Sequence, residues 1–333
     1  MKVLKSVLLS LISLLFLVAA FYYSGPTTAA PSYELSLPKV NTPLDAINDS
    51  LLHFDTDMKA EPCAISTVDW YDSVRQTEYV LLYLHGFSAS QHEGDSVRFW
   101  TAKRLKANAY YPRIAGHGLE EEDSVRYATF TATAAWEKAK KDFSLATTLG
   151  KKVIIMSCST GTPLALKLAA TYPNKVYALV NYSPNIRLHD PLAALVNGPW
   201  GLELLKWTSS QEFRDLSPRE DRIVEDCKHR SYCWESVIQM QWLLETTMIE
   251  PTFEAVKAPS LTMMWNESDE VRDRIVSVEK AQWMHQKLGS SVKQWTNCAC
   301  KDHVILNYQT SEAAEYVFET THAFIMQLAE DGI

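Results

Sequence analysis

One stretch of the chain constrains the fold more than any other. An apolar run, residues 153–156, continues through Ser157-Cys-Ser-Thr-Gly161 directly into a stretch whose apolar side chains recur at helical spacing. A strand that turns sharply into a helix at a serine, here Ser159, requires small residues two positions away on either side, because the backbone there is strained. The pattern therefore predicts a nucleophilic serine at the end of a buried strand, and an ordinary polar turn is the alternative.

Other apolar runs alternate with helix-like stretches along the chain. We predict strands at 79–85, 151–157, 176–183, 260–265 and 291–296, and helices at 96–108 and 161–172. This alternation predicts an α/β fold with a doubly wound, mostly parallel sheet and right-handed crossovers. Ligands bind to such sheets at the carboxyl ends of the strands.

Length and composition indicate one large catalytic domain. Of the 333 residues, 47% are hydrophobic and 22% are charged, which is typical of a folded globular protein. Residues 26–50 are rich in Pro, Ser, Thr and Asn and are predicted to form a linker, so that the domain occupies 51–333. Residues at about 186–257 do not follow the alternation and are predicted to form an inserted helical cap, with ordinary core helices as the alternative.

The N-terminus indicates export. Lys2 and Lys5 precede an uncharged run, residues 6–25, that is rich in Leu, Val, Phe and Ala. Its length lies between that of a signal peptide and that of a spanning helix, so residues 1–25 are either a signal peptide or an N-terminal membrane anchor. A buried core helix is a third alternative. We expect an exported protein that is membrane-anchored, secreted or periplasmic.

Charge and cysteines narrow the possible partners. The formal net charge of -8 and the lack of a basic cluster argue against a nucleic-acid partner. Six cysteines in an exported chain make disulfides plausible, and the best local pair is Cys227 with Cys233. Cys298 and Cys300 are too close to pair easily with each other, so one of them could reach Cys63. Neither group of cysteines and histidines has a standard zinc spacing, and no metal is expected.

A second motif ends an earlier strand, at Leu84-His-Gly-Phe-Ser88. Gly86 lets the backbone turn away from the sheet, so that the N–H of Phe87 can point at the same spot as the N–H of Thr160. These two donors are predicted to form an oxyanion hole, in which the loss of one donor typically costs about 3–4 kcal/mol of transition-state stabilisation. His85 is expected to support this loop by hydrogen bonding.

The predicted base and its carboxylate lie in the C-terminal part. Asp269 follows the strand at 260–265 by a few residues, and His303 follows the last predicted strand. A neutral imidazole can take the proton of Ser159 when its other nitrogen donates to a carboxylate that fixes its orientation. We predict that Asp269 is this carboxylate. Its rivals are Glu267, Glu270 and Asp302.

Together these residues resemble the α/β-hydrolase superfamily, in which nucleophile, acid and base follow one another in this order. The sequence is most similar to the monoacylglycerol lipase, carboxylesterase and serine aminopeptidase group, whose members carry a stretch like Pro112-Arg-Ile-Ala-Gly-His-Gly. The match spans roughly Tyr79 to the C-terminus. His117, in this stretch, is expected to line the pocket rather than act in catalysis. Ser157 stands where the group commonly has Gly, which leaves the substrate open.

The resemblance implies that Ser159 attacks an ester carbonyl, that Phe87 and Thr160 hold the oxyanion, and that water activated by His303 releases the acyl group. It implies no metal or organic cofactor. We expect a small-molecule ester with an apolar acyl chain as the substrate.

Other functions remain alternatives. The first is a serine aminopeptidase, which needs an acidic group in the cap to hold the substrate ammonium. A hydrolase-fold binding protein without activity and an acyltransferase are the others. The candidate acids in the cap are Glu220, Asp221, Glu225 and Asp226.

Overall fold

Apolar runs along the chain form the central sheet of the computed structural model, which describes residues 2–215 and 229–333. The strands are β1 (Thr67–Asp69), β2 (Thr77–Leu84), β3 (Asn108–Tyr111), β4 (Gly150–Cys158), β5 (Val176–Tyr182), β6 (Phe213–Asp215), β7 (Ser231–Cys233), β8 (Ser260–Trp265) and β9 (Lys293–Cys298). The main sheet has the order β1-β3-β2-β4-β5-β8-β9, and β6 pairs with β7 separately. Every pairing in the main sheet is parallel except that of β1 with β3. The predicted mostly parallel α/β sheet is therefore confirmed.

Helices pack on both faces of this sheet. The helices of the described residues are α1 (Lys2–Tyr23), α2 (Ile47–Asp57), α3 (Val97–Leu105), α4 (Ala132–Leu149), α5 (Gly161–Thr171), α6 (Gly201–Ser209), α7 (Trp234–Thr247), α8 (Glu250–Ala255), α9 (Val278–Lys287) and α10 (Ala314–Glu330), and all of them except α1 and α6 contribute residues to the buried core. One buried cluster joins the sheet to α4, α5, α8 and α9, and the other joins it to α3 and α10. In β4, Ile155 lies in the first cluster while Ile154 and Met156 lie in the second. A strand buried on both faces has to be apolar throughout, which explains its sequence.

The strand order determines where the functional loops meet. Because β2, β4, β5, β8 and β9 are parallel neighbours, their carboxyl ends lie along one edge of the sheet. The loops that leave these ends carry Gly86, Ser159, Asp273 and His303. Residues far apart in the chain are thereby brought to one place.

Helices α6 and α7 and the antiparallel pair of β6 and β7 occupy the region for which a helical cap is predicted. Helix α7 packs against α4 and α5, and the hydroxyl of Thr160, beside Ser159, donates to the sulfur of Met240 in α7 at 3.6 Å. The apolar side of α7 therefore covers the carboxyl edge of the sheet. Helix α8, in contrast, packs on α5 and α9 in the main body.

The segment predicted as a linker, residues 26–50, is packed against the main body. The indole N–H of Trp136 donates to the carbonyl of Glu34 at 2.7 Å, and the hydroxyl of Ser144 donates to that of Pro38 at 2.6 Å. The last residues of the segment begin α2. The structure differs from the linker prediction because side chains of α4 satisfy the backbone carbonyls of a segment that has few apolar residues of its own.

The disulfides also differ from expectation. Cys298 and Cys300 are joined to each other, with their Cα atoms 5.2 Å apart, so the expectation that they are too close to pair is wrong. Cys63 is disulfide-bonded. Cys233 is a buried free thiol, so the suggested local bridge to it is wrong as well; Cys227 lies outside the described residues.

Helix α1 stands apart from both buried clusters. Its residues Leu4–Tyr23 are long and apolar enough to cross a membrane, and none of them is buried inside the fold. A buried core helix, one of the three alternatives for this segment, is therefore excluded.

A buried ion pair ties α2 to the stretch that contains His117. The carboxylate of Asp55 accepts from Nη2 and Nε of Arg113 at 2.7 and 3.1 Å, and from the backbone N–H of Ser66 at 2.7 Å. Arg113 also donates to the carbonyl of His117 at 3.0 Å. Asp55 and Arg113 are only 1% and 4% exposed, so each charge depends on the other for compensation.

Replacing Asp55 with Asn should lower the free energy of unfolding by about 3–5 kcal/mol, because it leaves the buried guanidinium of Arg113 without its counter-charge. Urea unfolding measures this change. Asp57→Asn is the matched control, since Asp57 lies on the same helix with its side chain 67% exposed. Equal stability of the two variants would contradict a structural role for the pair.

Candidate active site

Ser159 lies at the turn from β4 to α5 in the left-handed region of backbone space, with φ of 49°. Its backbone N–H donates to the backbone carbonyl of Tyr182 at 3.0 Å, which holds the turn against β5. A Cβ on Gly161 would overlap the carbonyl oxygen of Leu84, so only glycine fits there. Ser157 fits in place of a second glycine because its hydroxyl hydrogen-bonds with Thr162 at 3.1 Å.

A chain of hydrogen bonds runs from Ser159 through His303 to Asp273. Oγ of Ser159 lies 2.9 Å from Nε2 of His303, and Nδ1 of the same ring lies 2.6 Å from Oδ2 of Asp273. The other carboxylate oxygen of Asp273 accepts from the backbone N–H groups of Ile275 and Val276 at 2.8 and 3.1 Å. Both oxygens of this fully buried carboxylate are thus engaged, and the imidazole is held in one orientation.

The prediction that Asp269 orients His303 is wrong. Asp269 lies at the tip of the loop that follows β8, with its side chain 94% exposed and 3.7 Å from Arg272. The loop returns toward the sheet before the functional carboxylate is reached, because the N–H of Asp273 donates to the carbonyl of Trp265 at 3.1 Å. The acidic group therefore comes four positions later than predicted.

Burial and charge act in opposite directions on this pair. Burial alone would lower the pKa of His303, but the carboxylate of Asp273, with smaller contributions from Glu93 and Asp302, raises the pKa of the ring above its usual value. Burial would likewise raise the pKa of Asp273, but the charge of His303 and the hydrogen bonds lower it. The arrangement therefore favours a protonated His303 beside an ionised Asp273, which is the state that forms when the ring takes a proton from a serine.

The loop after β2 approaches Ser159 closely. A Cβ on Gly86 would lie 3.1 Å from the Cβ of Ser159. Within residues 2–215 and 229–333, the backbone N–H groups of Phe87 and Thr160 donate to no other group, so they are available to a ligand.

A buried acid, Glu93, holds this loop in place. Its carboxylate accepts from the N–H of Gly86 at 2.6 Å and from the hydroxyl of Tyr83 at 3.2 Å. Glu93 is 3% exposed. A Cβ on Gly86 would meet this carboxylate at 2.7 Å, so a larger residue at position 86 would displace Glu93.

His85 links the same loop to the neighbouring stretch. Its Nδ1–H donates to the carbonyl of Gly86 at 2.8 Å, and its Nε2 accepts from the N–H of Ile114 at 3.1 Å. Burial lowers the pKa of His85 to about 4, so the ring is neutral at physiological pH and can serve both contacts.

His117 forms part of an aromatic cluster around Phe87. Its ring stacks on Tyr127 at 4.6 Å and meets Phe87 edge-on at 5.2 Å. Phe130 and Tyr232 also pack edge-on against Phe87, and Tyr232 belongs to the cap strand β7. Burial lowers the pKa of His117 well below its usual value. The neutral ring therefore packs as an apolar group, in a cluster that connects the loop after β2, the main body and the cap.

Sequence reasoning missed two residues of the site. Asp273 is followed by Ile275 and Val276, of which Val276 is fully buried, whereas Asp269 stands between Ser268 and a second acid. Apolar residues two and three positions after a loop acid were the signal that its backbone returns to the core. Glu93 lies in a polar run that has the composition of a solvated loop, and no sequence signal marks it.

Two further sets of side chains bear on the alternative functions, the acids of the cap and possible metal ligands. Glu220, Asp221, Glu225 and Asp226, the acids considered for ammonium binding, lie outside the described residues. In the part of the chain that the structure describes, no three His, Cys, Asp or Glu side chains are grouped to hold a metal ion.

Comparison with known proteins gives a family and a fold. The model of a hydrolase family described as serine aminopeptidase, S33, matches residues 78–309. No curated protein matches the sequence. The matched range begins in β2 and includes Gly86, Ser159, Asp273 and His303.

Solved structures share the architecture at low sequence identity. A metagenome-derived lipolytic enzyme is 17% identical with a TM-score of 0.62, and covers 80% of this chain and 99% of its own. A monoacylglycerol lipase from Paleococcus ferrophilus (13%, TM-score 0.57) covers 79% and 98%. A soluble variant of the monoglyceride lipase from Saccharomyces cerevisiae (14%, TM-score 0.57) covers 79% and 91%. The fold is thus the α/β-hydrolase fold.

Asp273→Asn should slow the reaction of Ser159 with a fluorophosphonate probe by on the order of 10⁴-fold, the loss in kcat that follows when the carboxylate of a serine-protease triad is replaced by an amide. The amide carries no charge to stabilise the imidazolium, and its NH₂ group can donate to Nδ1 and hold the ring in the wrong tautomer. Stopped-flow labelling measures the rate.

Asp269→Asn is the matched control, because it makes the same chemical change on the same loop. Its labelling rate should stay within about twofold of the wild type, as for other exposed substitutions. A large effect at Asp269 with none at Asp273 would contradict the geometry.

Proposed function

The chain belongs to the hydrolase family described as serine aminopeptidase, S33, and within that family we propose that it cleaves carboxylic esters through an acyl-enzyme on Ser159. One observation carries the proposal. The hydroxyl of Ser159 lies 2.9 Å from His303, whose other nitrogen lies 2.6 Å from the buried carboxylate of Asp273. This is the arrangement that serine hydrolases use to form an activated nucleophile.

In the first half of the reaction, Ser159 attacks the ester carbonyl while Nε2 of His303 takes the hydroxyl proton. Asp273 stabilises the resulting imidazolium and stays ionised. The N–H groups of Phe87 and Thr160 donate to the oxyanion. The proton then passes from His303 to the leaving alkoxide, the C–O bond breaks, and an alcohol departs from the acyl-enzyme.

In the second half, water attacks the acyl-enzyme. His303 takes one proton of the water, the tetrahedral intermediate collapses, and the proton returns to Oγ of Ser159 as the carboxylic acid leaves. The positions of the three side chains support both halves of the reaction. In each half, Nε2 of His303 takes and returns the proton while Nδ1 stays bonded to Asp273.

An apolar acyl group is the substrate that the surroundings favour. Met240 of the cap lies against Thr160, and a cluster of aromatic rings surrounds Phe87. Such side chains bind hydrocarbon rather than charge. Lipolytic enzymes among the structural neighbours agree with this preference.

The family description favours a second candidate, the removal of N-terminal residues from peptides. That activity needs an acid that can pair with a substrate ammonium. Glu61, a partly buried acid beside the cap, is already occupied, because it contacts His229 at 3.0 Å and Arg126 at 3.4 Å. Glu61 therefore gives no support to the peptidase hypothesis.

The wild-type chain should hydrolyse p-nitrophenyl acyl esters, and Ser159→Ala should abolish turnover, because the mutant has no nucleophile to acylate. A series of esters with acyl chains of increasing length measures the longest chain that the acyl pocket accepts. Aminoacyl p-nitroanilides, assayed in parallel, test the peptidase. Turnover of the anilides without turnover of the esters would reverse the order of the two hypotheses.

The pH profile of kcat/KM should rise with pH, because His303 acts as a base only when its ring is neutral. Since nearby carboxylates raise the pKa of His303, the midpoint of this rise should lie above the usual histidine value of about 6.5. Glu93→Gln removes one of these charges and should move the midpoint to lower pH. Glu78→Gln, at an exposed position of β2, is the control and should not move it.

A further inference from the structure

One run of the cap, residues 191–209, exposes large apolar side chains to solvent. Leu192 and Leu195 are 65% and 61% exposed, and they lie three residues apart in a short 3₁₀ helix, which places them on one side. Leu204 and Trp207 are 44% and 78% exposed and lie three residues apart in α6, so they too share a side. We call these four side chains the apolar rim.

The same run holds the end of α1. Trp200, between the two pairs of the rim, stacks on Phe21 with ring centroids 5.0 Å apart. Its indole N–H donates to the carbonyls of Phe21 and Tyr22 at 3.2 and 3.1 Å. Its backbone N–H donates to Pro26 at 3.0 Å. The rim is therefore anchored beside the last turn of α1.

Helix α1 has the dimensions of a membrane span. Its 20 residues from Leu4 to Tyr23 correspond to about 30 Å of helix, the thickness of the hydrocarbon layer. The span ends with Phe21, Tyr22 and Tyr23, and Trp200 packs against that end. Aromatic residues concentrate at the boundary between hydrocarbon and water, so this cluster marks where the membrane surface would lie.

From this placement we propose that the apolar rim is a membrane-docking surface, which enters the lipid headgroup region while α1 is held in the bilayer. Lys2 and Lys5, at the start of α1, would stay on the opposite side, as positive residues do at the cytoplasmic ends of spans. The cap, and not only the helix, then contacts lipid. Because α7 of the cap covers Ser159, docking of the apolar rim would place the active site next to the membrane.

A second copy of the chain is the rival occupant of the rim. It fits less well, because Trp200 divides the rim and is already stacked on α1, so that any protein partner has to accommodate that helix as well. A bilayer can contact the rim and surround α1 at the same time.

The test uses the full chain reconstituted into phosphatidylcholine vesicles. An environment-sensitive fluorophore is attached at position 207 in Trp207→Cys or at position 195 in Leu195→Cys. Lys151→Cys is the matched control, because Lys151 is exposed and lies at the amino end of β4, away from the strand ends that carry the active site. Wild-type protein taken through the same labelling gives the background from its own thiols. The fluorescence is compared in vesicles with and without brominated lipids, which quench only at the membrane.

We expect the labels at 207 and 195 to show blue-shifted emission that brominated lipids quench, and the label at 151 to show neither effect. Emission at 207 and 195 that matches 151, while the protein floats with the vesicles, would overturn the proposal. A blue shift that depends on protein concentration but not on brominated lipids would identify a second copy instead. Failure of the full chain to float with the vesicles would also overturn it. No outcome depends on ester hydrolysis.

Discussion

The hydrogen bond between His303 and the buried carboxylate of Asp273 is the interaction on which the rest of the site depends. It offsets the burial that would otherwise keep the imidazole neutral, and it fixes which nitrogen faces Ser159. The carboxylate can stay charged in the interior because two backbone N–H groups satisfy its other oxygen. Ser183 adds a second constraint, since its hydroxyl donates to the carbonyl of His303 at 2.6 Å.

The sheet explains how such a site can be built from distant residues. Parallel strands that are buried on both faces form a rigid sheet. The loops that leave β2, β4, β8 and β9 at its carboxyl edge carry, in that order, Gly86, Ser159, Asp273 and His303. The turn at Ser159 depends on glycine, because the backbone of Leu84 leaves no room for a Cβ at position 161. At position 86 a Cβ would displace the carboxylate of Glu93. The polar residues Glu93 and His85 then hold the loop after β2, which lies close to Ser159 at Gly86.

The sequence was sufficient to predict five of the seven strands of the main sheet and the serine at the end of β4, because continuous apolar runs and a small-residue turn have few other structural solutions; the short strands β1 and β3 were missed. It was insufficient for Asp273, since the distance from a strand end does not reveal where a loop turns back. It was also insufficient for Glu93, whose importance follows from contacts with Gly86 and Tyr83 that only the folded chain creates. The segment at 26–50 shows the same limit: its composition is that of a linker, and its order comes from α4.

The most direct test of the account is a crystal structure of the full-length protein after reaction with a fluorophosphonate. The account predicts a phosphorus bonded to Oγ of Ser159, with a phosphoryl oxygen about 2.7–3.1 Å from the backbone nitrogens of both Phe87 and Thr160. It also predicts that Nδ1 of His303 still faces Asp273. An adduct on another residue, or a phosphoryl oxygen turned away from both nitrogens, would contradict the assignment of nucleophile and oxyanion hole.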